Sequence, residues 1–265
     1  MTIRKPFFVV PLELENVVTG NARGGHPAKF LGRHIDQGLT WRTSGASNVW
    51  ARGNFSTAKA IDFCSVMLAN ALPGTKIRLR LGNSQDDVDG SSAPYDSTAL
   101  DFISPSITRE DGLYHSHLEL DAVETATWWR IDVTGHTGDF EASMLVLGEK
   151  IEPSHYYNFD YEQGVEDLGN AGFTEWGVPA DTDGLIFRVI NFTLGWQTRT
   201  EMEAKFRPMM EKLGIRRPVY LCFNPTATTA RQAHSYLGRM KKPPFARGSR
   251  HPLYMVQEFQ ILSVA

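Results

Sequence analysis

The segment His115-Ser-His117-Leu-Glu119-Leu-Asp121 places two imidazoles and two carboxylates at two-residue spacing. On a strand such residues share one face, a donor set that suits a divalent metal. The competing reading is a half-buried strand with Tyr114, Ser116, Leu118 and Leu120 inward and the histidines on a solvated face. Asp86-Asp87-Val-Asp89-Gly90 offers a second chemistry. The hard oxygens of Asp86, Asp87 and Asp89 on a Gly-containing turn suit a structural Ca²⁺, although the EF-hand spacing and its distant bidentate Glu are missing. Acidic turns also occur without any ion. A third chemistry belongs to Trp41, Trp50, Tyr95 and Trp128. A flat ring stacks on a pyranose while polar neighbours fix its hydroxyls, and core packing is the competing use of the same rings. Trp128 and Trp129 are adjacent, so on a strand one ring points inward and the other out.

Catalytic signatures are missing. There is no Gly-x-Ser-x-Gly elbow, P-loop, His-Glu-x-x-His or Cys-x-x-Cys. Gly20-Asn-Ala-Arg-Gly-Gly25 is glycine-rich, but no helix pattern follows it to cradle a phosphate. No catalytic residue and no cofactor is expected beyond the candidate Ca²⁺, and nothing pairs two carboxylates as a glycosidase would. Cys64 and Cys222 each sit in an apolar run and read as small buried hydrophobes, compatible with a reducing cytoplasm.

The 265 residues carry a formal net charge of -3, against the basic excess of a nucleic-acid binder. The one dense cationic stretch, Lys241-Lys242-Pro-Pro-Phe-Ala-Arg247-Gly-Ser-Arg250-His251, reads as a solvated loop or an anion contact. No apolar run is long enough to span a bilayer. The N-terminal apolar run is cut by Pro11 and Glu13, too early for a signal peptide.

The elements that must position these groups are short strands. The runs 59–69, 76–81, 114–120, 127–133 and 140–147 are β-like and separated by turn chemistry. Alternation is clearest in Ile77-Arg-Leu79-Arg-Leu81, with the apolar side chains on one face. Many short strands without a long helical period read as a β-sandwich or jelly roll. Residues 151–183 read as a connector with an irregular excursion. After it come strands at 185–192, 219–223 and 253–264. Between the first two lies a helix near 200–213, with Thr200 and Glu203 as a capping box and Met202, Phe206, Met209 and Leu213 on one face. Gly214 stops it, and Pro208 kinks or restarts it. The expected fold class is therefore mostly β: an N-terminal jelly-roll β-sandwich followed by a smaller β-rich α+β domain with one flanking helix. The expected divisions are an N-terminal arm at 1–45, a jelly roll at 46–150 and a β-rich assembly domain at 151–265.

Ala60-Ile-Asp-Phe, Asn70-Ala-Leu-Pro-Gly-Thr-Lys-Ile-Arg-Leu-Arg and Pro94-Tyr-Asp-Ser resemble discoidin-type, galactose-binding-like jelly rolls. So do Trp129-Arg-Ile-Asp-Val and Glu141-Ala-Ser-Met-Leu-Val-Leu-Gly. With Ile151-Glu-Pro, Glu201-Met-Glu-Ala, Arg217-Pro-Val-Tyr-Leu and the terminal Gln257-Glu-Phe-Gln, the chain is similar to tail-tip proteins of long-tailed bacteriophages. Ala69-Asn70 stands where relatives often carry a His-Asn pair, so no ligand residue is carried over. The resemblance implies a non-enzymatic distal tail or baseplate component. Such a protein is made in the host cytoplasm and located in the virion tail, as a homo-oligomeric ring that contacts other tail proteins and possible cell-surface glycans. The alternative is a free-standing carbohydrate-binding module. The Met-rich helix face and the aromatic run His155-Tyr-Tyr-Asn-Phe-Asp-Tyr161 would serve the assembly reading as interface.

Overall fold

A computed structural model describes residues 4–34, 36, 38–249 and 251–263. The first three residues of the expected arm, Arg250 of the cationic stretch and Val264 of the last strand lie outside the described residues. The chain is mostly β and divides into two compact units, 1–152 with 220–235, and 153–219 with 236–265.

The first unit opens with β1 (Phe7–Val9), β2 (Glu15–Thr19), β3 (Trp41–Arg42) and the long β4 (Trp50–Met67). It continues through β5 (Lys76–Gly82), β6 (Tyr95–Asp96) and β7 (Leu100–Asp101) to a second long strand, β8 (Leu118–Thr134). β9 (Glu141–Ala142), β10 (Met144–Gly148) and β11 (Lys150–Ile151) complete the run. The main sheet has the order β10-β4-β8-β5-β6, with β2 on β4 and β7 on β5, all antiparallel. β3 pairs with β9 separately. This is the expected jelly-roll sandwich. Alternation decides its core: Ile77, Leu79 and Leu81 of β5 and Trp129, Ile131 and Val133 of β8 are buried together. Each such side chain contributes about 1.5–3 kcal/mol over exposure.

Two features differ from the sequence expectation. The runs 114–120 and 127–133 contribute to one strand, β8, with a register shift opposite Ile61–Phe63 and another opposite Asn54–Lys59. Residues 4–34 and 38–45 form no separate arm. Phe7, Phe8, Val9, Leu31 and Trp41 are buried in the first unit, because their apolar side chains fill space the strands alone leave open.

The second unit holds β12 (Glu162–Asp167) and β13 (Ile186–Thr198). The chain then passes through β14 (Val219–Cys222), which returns to pair with β1 in the first unit, Phe8 opposite Leu221. β15 (Ser235–Met240), β16 (Ala246–Gly248) and β17 (Tyr254–Ser263) follow. β13 and β17 form the centre of the second unit's sheet, flanked by β12 and β15, with β16 on β17. One face is covered by helical segments Arg199–Glu201, Met202–Phe206 and Arg207–Leu213. Phe192 and Phe259 stack at 5.3 Å, and Phe206 reaches Phe259 at 6.2 Å between ring centroids. Met202, Phe206, Met209 and Leu213 are all buried, as their spacing predicts.

The helix cap differs from the expected box. β13 runs to Thr198, whose hydroxyl accepts the Glu201 N–H at 3.2 Å, so Thr200 lies inside the first turn. Pro208 does not kink the helix. Met202–Phe206 is a wide π turn, and Pro208 sits in the first turn of the α segment after it, where a missing N–H costs least. Gly214 ends it at φ 52, a left-handed angle that favours glycine.

Candidate functional site

Strands β4, β8 and β5 run side by side, and their register stacks polar residues in rows on one face of the jelly roll. Trp50 lies opposite Asp132, which faces Arg78, and Arg52 opposite Arg130, which faces Arg80. Asn54 lies opposite Trp128, which faces Gly82. Three arginines in one row repel unless carboxylates separate them. Asp132 accepts from Arg80 Nη2 at 2.7 Å and from Arg130 Nη2 at 2.8 Å. Asp89 bridges Arg130 Nη1, at 2.7 Å, and Arg52. At the edge Arg78 pairs with Asp96, and these hydrogen bonds hold the Asp96 carboxyl below its ordinary range. The Trp50 ring is an arginine platform, with the Arg130 guanidinium 4.4 Å and Arg52 5.4 Å from its centroid.

Of the four candidate rings, this face gathers Trp50 and Trp128, both half-buried. Trp129 turns inward and is fully buried, so the adjacent pair splits as the strand geometry requires. Trp41 does not join them. It is fully buried, edge-on to Phe140, and its indole N–H donates to the Asn21 carbonyl at 3.0 Å. Tyr95 pairs with Leu81 and packs on the core, where burial pushes its hydroxyl up to about 12. Trp41 therefore offers no ring face for stacking, while Tyr95 stays half-buried, apart from the Trp50–Trp128 rows.

The acidic turn is a short helix, Gln85–Asp89, with a capping box at Ser84. Asp87 Oδ2 accepts the Asn83 and Ser84 N–H groups, each at 2.9 Å, which holds its carboxyl low. Asp89 is taken by Arg52 and Arg130. With Asp86, these carboxylates do not converge. Among the described residues no group of three His, Cys, Asp or Glu side chains is placed to hold a metal.

In the histidine strip His115 is buried and His117 half-buried, contrary to the solvated reading, and only Asp121 is exposed. His115 Nδ1 accepts the Leu68 N–H at 3.2 Å, and the Gln232 amide bonds both the N–H and the carbonyl of His115. Residues 220–235 cover this face from far along the chain, which no local pattern reveals. His117 Nε2 lies 2.8 Å from Glu119 and packs among Phe7 and Phe63. Arg4 grips Glu119 with two bonds of 2.7 and 2.6 Å, and Lys150 Nζ adds a third at 3.0 Å. Burial alone would raise the Glu119 carboxyl, but the hydrogen bonds from His117 and Arg4 and the added Lys150 charge hold it well below its usual range. Burial lowers His117 more than Glu119 raises it. The cluster clamps the residues before β1 and at β11 onto β8. It holds no nucleophile: Cys64 and Cys222 are buried thiols, and burial pushes Cys222 up to about 12.

In the second unit the region read as an irregular excursion is a β-ribbon. β12 and β13 pair from Glu162–Asn191 to Asp167–Ile186, and bridges Asn170–Thr182 and Phe173–Pro179 extend them. A turn closes the ribbon where the Gly177 N–H donates to the Thr174 carbonyl at 2.9 Å. Phe173 is 77% and Trp176 83% exposed at its tip, and Val165, Leu168, Leu185 and Ile186 are exposed along it. Residues 159–187 carry seven acidic side chains and no Lys, Arg or His. That charge bias and the Trp176-Gly177 turn between Phe173 and Val178 were the readable signals. At the far end of β13 a bulge at Gly195–Trp196 leaves Trp196 exposed beside Tyr254. No helix among the described residues is long and apolar enough to cross a membrane.

No family model matches the chain, and no curated protein matches it. Solved structures resemble about half of it. One is a fucose binding module of Streptococcus pneumoniae, 6% identical with a TM-score of 0.39, covering 53% of this chain and 95% of that one. Another is a family 32 CBM from C. perfringens NanJ in complex with galactose, 14% identical with a TM-score of 0.38, covering 54% and 98%. A third is reduced XRCC1 bound to the DNA pol beta catalytic domain, 14% identical with a TM-score of 0.39, covering 52% and 99%. The partners named for the three differ, two sugars and one protein.

Proposed function

We propose that this chain is a non-enzymatic assembly protein of the tail tip of a long-tailed bacteriophage, joining copies of itself through the second unit and presenting the jelly roll as an outer module. The carrying observation is the part of the ribbon that projects beyond β17, residues 162–187. A two-stranded ribbon is marginal in water by itself, and contiguous exposed apolar side chains mark interaction surfaces. Its Glu162–Asp167 edge has unpaired backbone groups, which pairing with another chain satisfies. Its acidic charge suits exposed cationic side chains of the same unit in a neighbouring copy, such as Arg216 and Arg239. The phage context rests on the sequence resemblance in both halves of the chain.

The test is light scattering after size exclusion, with residues 168–185 replaced by Asn-Gly in the variant. The full chain is expected as a closed oligomer, and the variant as a monomer whose jelly roll melts unchanged. A monomeric full chain, or a variant that still assembles, would sink the proposal.

The second reading is a free-standing carbohydrate-binding module, and the shared face of Trp50 and Trp128 supports it. Titration with fucose, galactose and chitosan oligosaccharide, followed by tryptophan fluorescence, separates the two. The second reading expects a saturable change in a monomeric protein that disappears in Trp128→Ala. An unchanged signal throughout the series removes it.

A further inference from the structure

The second unit contains a trough of about 420 Å³, within the size range of small-molecule sites. Its floor is the polar face of β13 and β17. Asn191 lies opposite Gln260 and Thr193 opposite Glu258, while Phe192 and Phe259 point to the helix side. Asp160 and Glu162 form one wall. Lys242-Pro-Pro-Phe245 and Arg247 form the other, with Phe245 standing 73% exposed at the rim.

The lining decides the ligand class by exclusion. Three carboxylates, Asp160, Glu162 and Glu258, outnumber the two cations, Lys242 and Arg247, and Arg247 already pairs with Glu258 at 3.6 Å, so the lining disfavours a phosphate or a carboxylate. A floor of amides, a hydroxyl and acids leaves the hydrogen-bonding groups of an apolar molecule's site unpaired. No three acidic or imidazole groups among the described residues are placed to hold a cation. What remains is a neutral polyhydroxyl ligand. Its hydroxyls donate to the carboxylates and accept from the Gln260 amide and from Lys242, and its C–H face lies on the Phe245 ring. The Asn191 amide, which donates to Glu162 Oε2 at 3.2 Å, fixes that carboxylate.

We infer that this trough is a saccharide-binding site for one or two neutral sugar rings. It goes beyond both readings above, since neither needs a ligand in the second unit, and it lies apart from the Trp50–Trp128 face.

The test is saturation-transfer NMR on the full chain with the methyl glycosides of galactose, glucose, mannose, fucose and N-acetylglucosamine. At least one is expected to bind, and glucose 1-phosphate is expected not to. Phe245→Ala and Gln260→Leu should each weaken that binding about tenfold, the scale of one well-placed contact. Phe245 is too exposed for its removal to unfold the chain, and circular dichroism checks Gln260→Leu. Loss of binding in Trp128→Ala would place the sugar on the first unit's face instead of in the trough. Silence from every glycoside, binding that survives both trough variants, or binding lost in Trp128→Ala overturns the site. Light scattering on the same samples reads assembly separately, so the failure of one idea does not mimic the failure of the other.

Discussion

Trp129→Ala should lower the unfolding free energy of the jelly-roll unit by about 3–5 kcal/mol, the range for deleting a large buried ring. Trp129 is fully buried on β8, at the centre of the main sheet. Gly53 shows how tightly the ring is held: a Cβ there would come within 2.9 Å of the indole and 2.6 Å of the Glu15 carbonyl. Gly53→Ala is therefore expected to be destabilising as well. Trp129→Phe is the informative comparison. The indole N–H is buried with no hydrogen-bond partner among the described residues, so phenylalanine removes an unpaid polar group along with part of the ring. It should cost well under half of the alanine change. Calorimetry on the full chain, following the transition that moves, checks both. An alanine cost below about 1 kcal/mol, the scale of surface substitutions and minor repacking, would place Trp129 outside the packed centre.

Glu119→Gln should be the most damaging polar change, at about 3 kcal/mol near neutral pH. It leaves Arg4 and Lys150 without their shared carboxylate, and the lower end of the buried-pair range applies because Arg4 is 42% exposed. The effect has a pH signature. Glu119 in the fold titrates below its ordinary 4.5, and His117 below its ordinary 6.5. Both bind protons less readily folded than unfolded, so the unfolded state takes up more protons as pH falls, and stability falls with it. The His117 contribution starts to be lost below 6.5 and the Glu119 contribution below 4.5. Wild type and Glu119→Gln should thus run parallel above pH 5. Below 4.5 their gap should close by up to about 1.4 kcal/mol per pH unit. Denaturant unfolding at pH 7, 5 and 3 measures this, and a gap unchanged at pH 3 would mean that Glu119 is not held ionised by the clamp.

The amino-acid sequence by itself determined the features that depend on residues close together. Alternation in Ile77–Leu81 marked a strand and its inward face, and adjacency split Trp128 from Trp129. The spacing of Met202, Phe206, Met209 and Leu213 marked the buried side of a helix that Gly214 ends. Periodicity belongs to the local backbone, so it survives without knowledge of the rest of the chain. Tertiary structure decided what covers each face. His115 and His117 have strand spacing, but His115 is covered by Gln232, more than a hundred residues later, and His117 by Phe7 and Phe63, well before it in the chain. Glu119 meets Arg4 across a similar separation, Asp89 pairs with Arg52 and Arg130, and Trp41 on a two-residue strand is sealed in the core. Residues 162–183 stayed illegible because both faces of the ribbon there are solvated, leaving no alternation to read. A strand's period says that it has two sides, and only the packing of distant segments says which of them meets water.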